Sequence, residues 1–197
     1  DSRALKRVDL QGGDGLVRTY EVALSSGENT LKALAFNEEN TAQGQEAVLK
    51  ILSSAVPVSA PSLHALVIGI DEFANPRLKL AYSAADARLF SDTLKQAAGD
   101  LFEDVTVNTL TGRETTTRES IVGALKACRN LRPDDVFVFY IASHGTVDDG
   151  EYFLITSNVG SLRTERLKTD AIAQNELKEL IANIPATKKL ILIDTCN

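Results

Sequence analysis

The chain has 197 residues, of which 44% are hydrophobic and 24% charged, and its formal net charge is −6. That length accommodates one medium domain and a smaller one, and no apolar run approaches the roughly 20 residues a membrane span needs. The acidic balance and the lack of a basic stripe exclude a nucleic-acid-binding surface of the usual kind.

Two cysteines, Cys128 and Cys196, are too few and too far apart for a paired-cysteine zinc site, and the pattern is not that of a disulfide scaffold. A single disulfide between them stays open, but the pattern favours a reducing compartment, and the expected location is cytoplasmic. The sequence opens at Asp1 and holds no methionine, so it reads as a piece of a longer chain.

Residues 1–52 read as β-rich. Leu16–Leu24 alternates in part, and Ser25-Ser26-Gly27-Glu28-Asn29 is a turn cluster. Thr30–Phe36 alternates again, a polar loop covers Asn37–Gly44, and Ala47–Leu52 is a further strand. Short strands separated by turn chemistry suggest part of a sandwich. The run Ser26-Gly27-Glu28-Asn29-Thr30-Leu31, followed by Ala35-Phe36-Asn37, resembles the closing strands of immunoglobulin-like bacterial modules. Residues 53–62 (SSAVPVSAPS) have linker composition.

From Leu63 the pattern changes. Leu63–Ile70 (LHALVIGI) is a nearly continuous apolar run, as expected of a strand buried on both faces. Ala84–Ala98 carries Ala87, Phe90, Leu94 and Ala97 at helical spacing, and Val105–Leu110 is a second strand. Thr117 caps a helix over Arg118–Arg129, with Ile121, Leu125 and Cys128 on its apolar face. Asp135–Ala142 is a third strand, Glu151–Thr156 a hairpin arm, Thr169–Ile184 a helix and Lys189–Asp194 a fourth strand. The expected fold class is α/β, a mostly parallel sheet flanked by helices, preceded by a small β-rich segment. The expected division is an accessory segment at 1–52, a linker at 53–62 and a catalytic domain at 63–197.

Ligands of such sheets sit at the carboxyl ends of the strands. The third strand leads into Ser143-His144-Gly145 and the fourth into Asp194-Thr195-Cys196-Asn197. If the two strands are neighbours, His144 and Cys196 emerge side by side. A cysteine nucleophile needs a base, and an imidazole serves as that base and later as the acid for a leaving amine. Gly145 has no side chain to block its N–H from a developing oxyanion. Taken singly, Cys196 would be a small core residue and His144 a satisfied polar group; their joint occurrence at two buried strand ends favours chemistry. His64, at the start of the first strand, reads as structural.

The segment Tyr140-Ile141-Ala142-Ser143-His144-Gly145, with Leu190-Ile191-Leu192-Ile193-Asp194-Thr195-Cys196, resembles the caspase–hemoglobinase group of cysteine peptidases. Ala65-Leu66-Val67-Ile68-Gly69-Ile70 and Ala84-Ala85-Asp86-Ala87 are similar to that group too, and the best likeness is to its bacterial metacaspase-like branch. The resemblance covers about residues 63–197. It implies a His144–Cys196 dyad, an oxyanion site made by the backbone amides of Gly145 and Cys196, and a thioacyl intermediate. It also implies activation by proteolytic processing, and a small subunit of the same precursor that completes the sheet.

Caspases that cut after Asp carry Gln two residues before the nucleophile; metacaspases and paracaspases, which cut after Arg or Lys, carry Asp there, matching Asp194. Their second pocket acid matches Asp86, which otherwise reads as a helix N-terminal acid favoured by the dipole. Two carboxylates would hold a guanidinium or ammonium by charge-assisted hydrogen bonds, so the expected partner is a protein or peptide with a basic P1 residue. Arg77 and Lys79 precede this helix, where caspases place an arginine that reads acidic P1 residues, so an acidic P1 stays the alternative.

No cofactor is required and no metal site is expected. Some metacaspases bind calcium through acidic clusters, which makes Asp148 and Asp149 the candidate Ca2+ pair, although adjacent acids are more often a solvated turn. Asn158–Thr169 reads as a mobile basic loop whose Arg163, Arg166 and Lys168 would suit self-cleavage. The competing readings are a caspase-like scaffold without catalysis, a relative cutting after Asn or Asp, and a doubly wound phosphoacceptor module.

Overall fold

A computed structural model describes residues 3–6, 19–22, 24, 27–36, 42–54 and 60–196, with the backbone alone for 3–6 and 196. The front of the chain forms two antiparallel pairs. β1 (Arg3–Lys6) pairs with β2 (Thr19–Glu21), and β3 (Gly27–Ala33) pairs with β4 (Ala47–Ser53) from Gly27↔Ser53 to Ala33↔Ala47. β3 thus starts inside the expected turn cluster and stops short of Phe36. The cross-strand partners offered by Ala47–Ser53, rather than local turn chemistry, set its ends. Of the expected first strand, Leu16–Val17–Arg18 and Ala23 lie outside the described residues, as do Ser25, Ser26, residues 37–41 and residues 55–59 of the linker.

The remainder is an α/β unit. In chain order it runs β5 (Leu63–Gly69), α1 (Ser83–Ala98), β6 (Val105–Leu110), α2 (Arg118–Ala127), β7 (Val136–Asp148), β8 (Glu151–Leu154), α3 (Thr164–Asp170), β9 (Ile172–Ala173), α4 (Gln174–Ala182) and β10 (Lys188–Cys196). β6, β5, β7 and β10 lie side by side and all parallel, with β10 outermost among the described strands. Alternation along the strands separates two cores. Leu63, Ala65, Val67 and Val138 meet Ala87 and Ala98 of α1 on one face. On the other, Leu66, Ile68, Phe137, Phe139 and Ile141 meet side chains of α2, α3 and α4. Each of the fully buried phenylalanines is worth roughly 2 kcal/mol by transfer alone.

Two expectations need correction. The third strand, expected over Asp135–Ala142, does not stop short of its histidine. β7 runs through His144 and Gly145 to Asp148, because its second half pairs antiparallel with β8. Asp149 and Gly150, with φ of 49° and 78°, make the two-residue turn between them, as an Asp-Gly pair does in tight hairpins. The helix expected over Thr169–Ile184 is broken in two. Ile172 and Ala173 pair with Leu154 and Phe153 as β9, which buries Ala171 and Ile172, and the second helix starts only at Gln174.

At the amino ends of the strands, Asp135 (2% exposed) ties the unit together. Its carboxylate accepts from the Ser62 amide at 3.0 Å, the Arg132 amide at 2.8 Å and the Arg132 guanidinium at 2.9 and 3.1 Å. His64 stands 3.8 Å from it, at the far end of the sheet from Cys196, in keeping with a structural part. Among the described residues no helix is long and apolar enough to cross a membrane.

Candidate active site

β10 and β7 pair in parallel without a slip from Lys188↔Val136 to Cys196↔His144. Register partners in such a pair stand about 5 Å apart and share a face of the sheet. The positions of Cys196 and His144 are therefore adjacent, on the face covered by α1, at the carboxyl end of the sheet.

The imidazole is held from above. Its Nε2 lies 2.8 Å from the carbonyl oxygen of Leu78. A carbonyl only accepts, so Nε2 carries the proton and the neutral ring keeps its lone pair on Nδ1. The Phe73 ring, 5.4 Å away between centroids, supplies an apolar wall. Leu78 closes a short 3-10 turn, Pro76–Leu78, whose start is capped by the Asn75 side chain. Asp71 frames the same loop. Its carbonyl accepts from the Leu80 amide at 2.9 Å, and its carboxylate caps α1 through the Ala84 amide at 3.0 Å. The histidine backbone is fixed as well: its carbonyl accepts from the Ile155 amide, and Ser143 Oγ donates to the Ile155 carbonyl at 2.7 Å.

Gly145 is needed for a reason the sequence did not show. A Cβ there would stand 2.5 Å from Tyr152 Cε2 and closer still to the Tyr152 hydroxyl. The edge its amide faces follows from alternation. The carbonyls of Ala142 and His144 accept from Ile70 and Ile155, on the edge of β7 away from β10, so the polar groups of Gly145 face the β10 edge.

Asp194 lies two positions before Cys196, on the same face, and Asp86 is in the first turn of α1; both side chains are exposed. Tyr140 is stacked on Phe90 of α1 with centroids 4.5 Å apart and planes 13° apart. Burial, then the charges of Asp194 and Asp86, push the Tyr140 phenol above its usual pKa. From the sequence, Phe90 was a helix-face position and Tyr140 part of the third strand, and neither was given a part in the site, although Tyr140, four residues before His144, shares its face by strand parity. Arg77 and Lys79 are exposed on the loop that carries Leu78.

Asp148 closes β7 opposite Glu151 and Asp149 forms the turn. Among the described residues no three His, Cys, Asp or Glu side chains gather as a metal site. The segment expected as a mobile basic loop is helical from Thr164. Arg166 pairs with Asp170 at 2.9 Å, and Leu167 is buried. Lys168 lies in the same helix, so only Arg163, at ψ 142°, has the extended backbone that a protease needs. An open groove of about 840 Å3, lined by Leu177, Lys178, Ile191, Ile193, Thr195 and Tyr152, lies on the face opposite Cys196 and His144.

The chain is similar to a solved structure, that of protein GSU0716 from Geobacter sulfurreducens, at 22% identity with a TM-score of 0.52. The likeness covers 69% of this chain and 51% of that one, so the chain spans about half that protein's length and shares its fold. No curated protein matches. The profile of the Caspase domain matches residues 62–197, which include all four parallel strands and every candidate site residue. By that match, the chain belongs to the caspase-domain family of cysteine peptidases.

Proposed function

We propose that Cys196 and His144 form the dyad of an endopeptidase that cleaves after Arg or Lys, within the metacaspase-like branch of the family. The observation that carries this reading is the pairing of positions 196 and 144 at the ends of two parallel strands. His144 Nδ1 takes the thiol proton, and the thiolate attacks the scissile carbonyl. The amides of Gly145 and Cys196 stabilise the oxyanion, a role the β10-facing edge of Gly145 suits. The imidazolium then protonates the leaving amine, and water hydrolyses the thioacyl-enzyme with His144 again as base.

Asp194 and Asp86, whose charges both raise the Tyr140 pKa, form the P1 pocket, and the Tyr140–Phe90 stack is its apolar floor. An acidic P1 residue would meet like charge there. Residues 63–197 act as the catalytic domain, joined through 53–62 to an accessory segment at 1–52. A small subunit of the same precursor covers β10, whose Leu190 and Ile193 are half-exposed.

The test is a panel of fluorogenic peptides differing only at P1, run on the full-length protein with and without calcium. Turnover after Arg and Lys is expected, with Cys196→Ala lower by several orders of magnitude and Cys196 labelled by an arginyl chloromethyl ketone. Turnover that survives Cys196→Ala, or cleavage confined to Asp or Asn, overturns the reading.

A further inference from the structure

Tyr152 reaches the neighbours of both members of the dyad from the opposite face of the sheet. Its hydroxyl is 2.8 Å from Thr195 Oγ1, one residue before Cys196. Its ring packs on the bare Cα of Gly145, one residue after His144. Positions 145 and 195 share the α4 side by strand alternation, whereas 144 and 196 share the α1 side. Tyr152 comes from β8, which has no direct pairing with β10. One side chain on the far face thus bridges the two strands where their register decides whether thiol and imidazole meet.

Among the described residues, the end of β10 is held in the sheet by its backbone ladder to β7. A side-chain hydrogen bond adds a restraint against fraying or sliding of its last residues. The tyrosine hydroxyl is half-buried, where phenols need a partner, and Thr195 supplies one.

We propose that Tyr152 is a positioning residue: its hydroxyl bond to Thr195, seated over Gly145, holds the Cys196 end of β10 in register with His144. The inference rests on the dyad reading given above.

The test uses the full-length protein with Tyr152→Phe, which keeps the ring and deletes the hydroxyl, Thr195→Val, and the double variant. Each single change lowers kcat by about tenfold per titrated active site, since small misplacements of reacting groups are costly. KM stays within about twofold, and the double variant is no worse than either single one, because both remove the same bond. In parallel, alkylation of Cys196 by iodoacetamide is followed against pH by mass spectrometry of its peptide. The wild-type profile rises at lower pH than that of Tyr152→Phe, because only a thiol held against the imidazole has its thiolate stabilised.

A purely structural tyrosine would lower the melting temperature and the fraction of active sites, but leave kcat per site and the alkylation profile unchanged; that result overturns the proposal. If the wild type turns over and the losses add, the proposal fails and the peptidase reading stands. If the wild type cleaves no peptide, the peptidase reading fails, and the alkylation profile decides the positioning role alone.

Discussion

Replacing Asp135 by Ala tests whether the strand starts are held by one carboxylate. The substitution removes four hydrogen bonds at 2.8–3.1 Å. The costs differ. Ser62 is buried, so its amide loses its acceptor without water to replace it, about 1–3 kcal/mol. The Arg132 amide is only partly covered. The guanidinium is 45% exposed and is rehydrated, so its share is a small fraction of a buried pair's. The expected loss is roughly 3 kcal/mol, a large part of the 5–15 kcal/mol typical of a domain.

The pH dependence gives a second check. Burial disfavours the Asp135 carboxylate, but the bonds from Arg132 and the Ser62 and Arg132 amides outweigh that penalty and hold its pKa below the usual value. The folded state thus binds the proton less readily than the unfolded chain. The stabilisation is complete above the unfolded value, about 3.9, and disappears as pH falls through the lower folded value. Urea unfolding of both proteins should show a gap constant from about pH 5 to 8 that closes on acidification below about 4. A gap under about 1 kcal/mol at pH 7, or one that widens in acid, would refute the reasoning.

Three further outcomes follow from named contacts. A Cβ at Gly69 would lie 2.6 Å from the Ser83 carbonyl carbon and 2.7 Å from Ala87 Cβ; Gly69→Ala must push α1 away, and denaturation should show a loss at or above the top of about 1–3 kcal/mol. In the proposed P1 pocket, Asp194→Asn would remove a charge-assisted bond to a basic side chain, worth about 1.5–3 kcal/mol, so kcat/KM for arginyl peptides should fall roughly 10- to 150-fold while peptides with P1 Ala change little. Burial raises the pKa of the Cys128 thiol, which also donates to the Ala124 carbonyl at 3.4 Å. It stays protonated at neutral pH, so iodoacetamide should label Cys196 well before Cys128, and Cys128→Ala should leave turnover unchanged.

β5 and β7 were legible because they are buried on two faces and so read as nearly unbroken apolar runs; Val105–Leu110, which alternates and is only half-buried, still has the expected bounds. The adjacency of positions 144 and 196 was legible through topology, since two strand ends could be brought together only if their strands were neighbours. What sequence did not show is set by distant partners. Ile172 and Ala173 look helical locally, yet β8 claims them as a strand. The Asp149-Gly150 turn carried a usable local signal, which places Asp148 and Asp149 in a hairpin rather than an open loop. The Leu78 carbonyl and the seat of Tyr152 on Gly145 left no such mark. A backbone oxygen has no residue signature, and the missing side chain of Gly145 could be explained as well by the oxyanion as by the ring.

The position of His144 depends on unequal strand lengths. β5 ends at Gly69, beside Ala142, and Ile70 makes the last bond to that edge of β7 through the Ala142 carbonyl. One step on, the His144 carbonyl is taken by Ile155, from the segment that follows β8. β10 meanwhile continues along the other edge to Cys196. Among the described residues, His144 thus meets β10 on one edge through Cys196 and the end of the β8 arm on the other through Ile155. Because β5 stops there, the chain after it is free to arch over the sheet and deliver the Leu78 carbonyl to Nε2. Because Gly69 lets α1 press against the end of β5, that arch returns within thirteen residues, with Asp71 joining its start to the α1 amides. Lengthening β5 by one residue pair would carry the arch past the imidazole, so the chemistry at this site depends on where β5 ends as much as on the two side chains proposed to react.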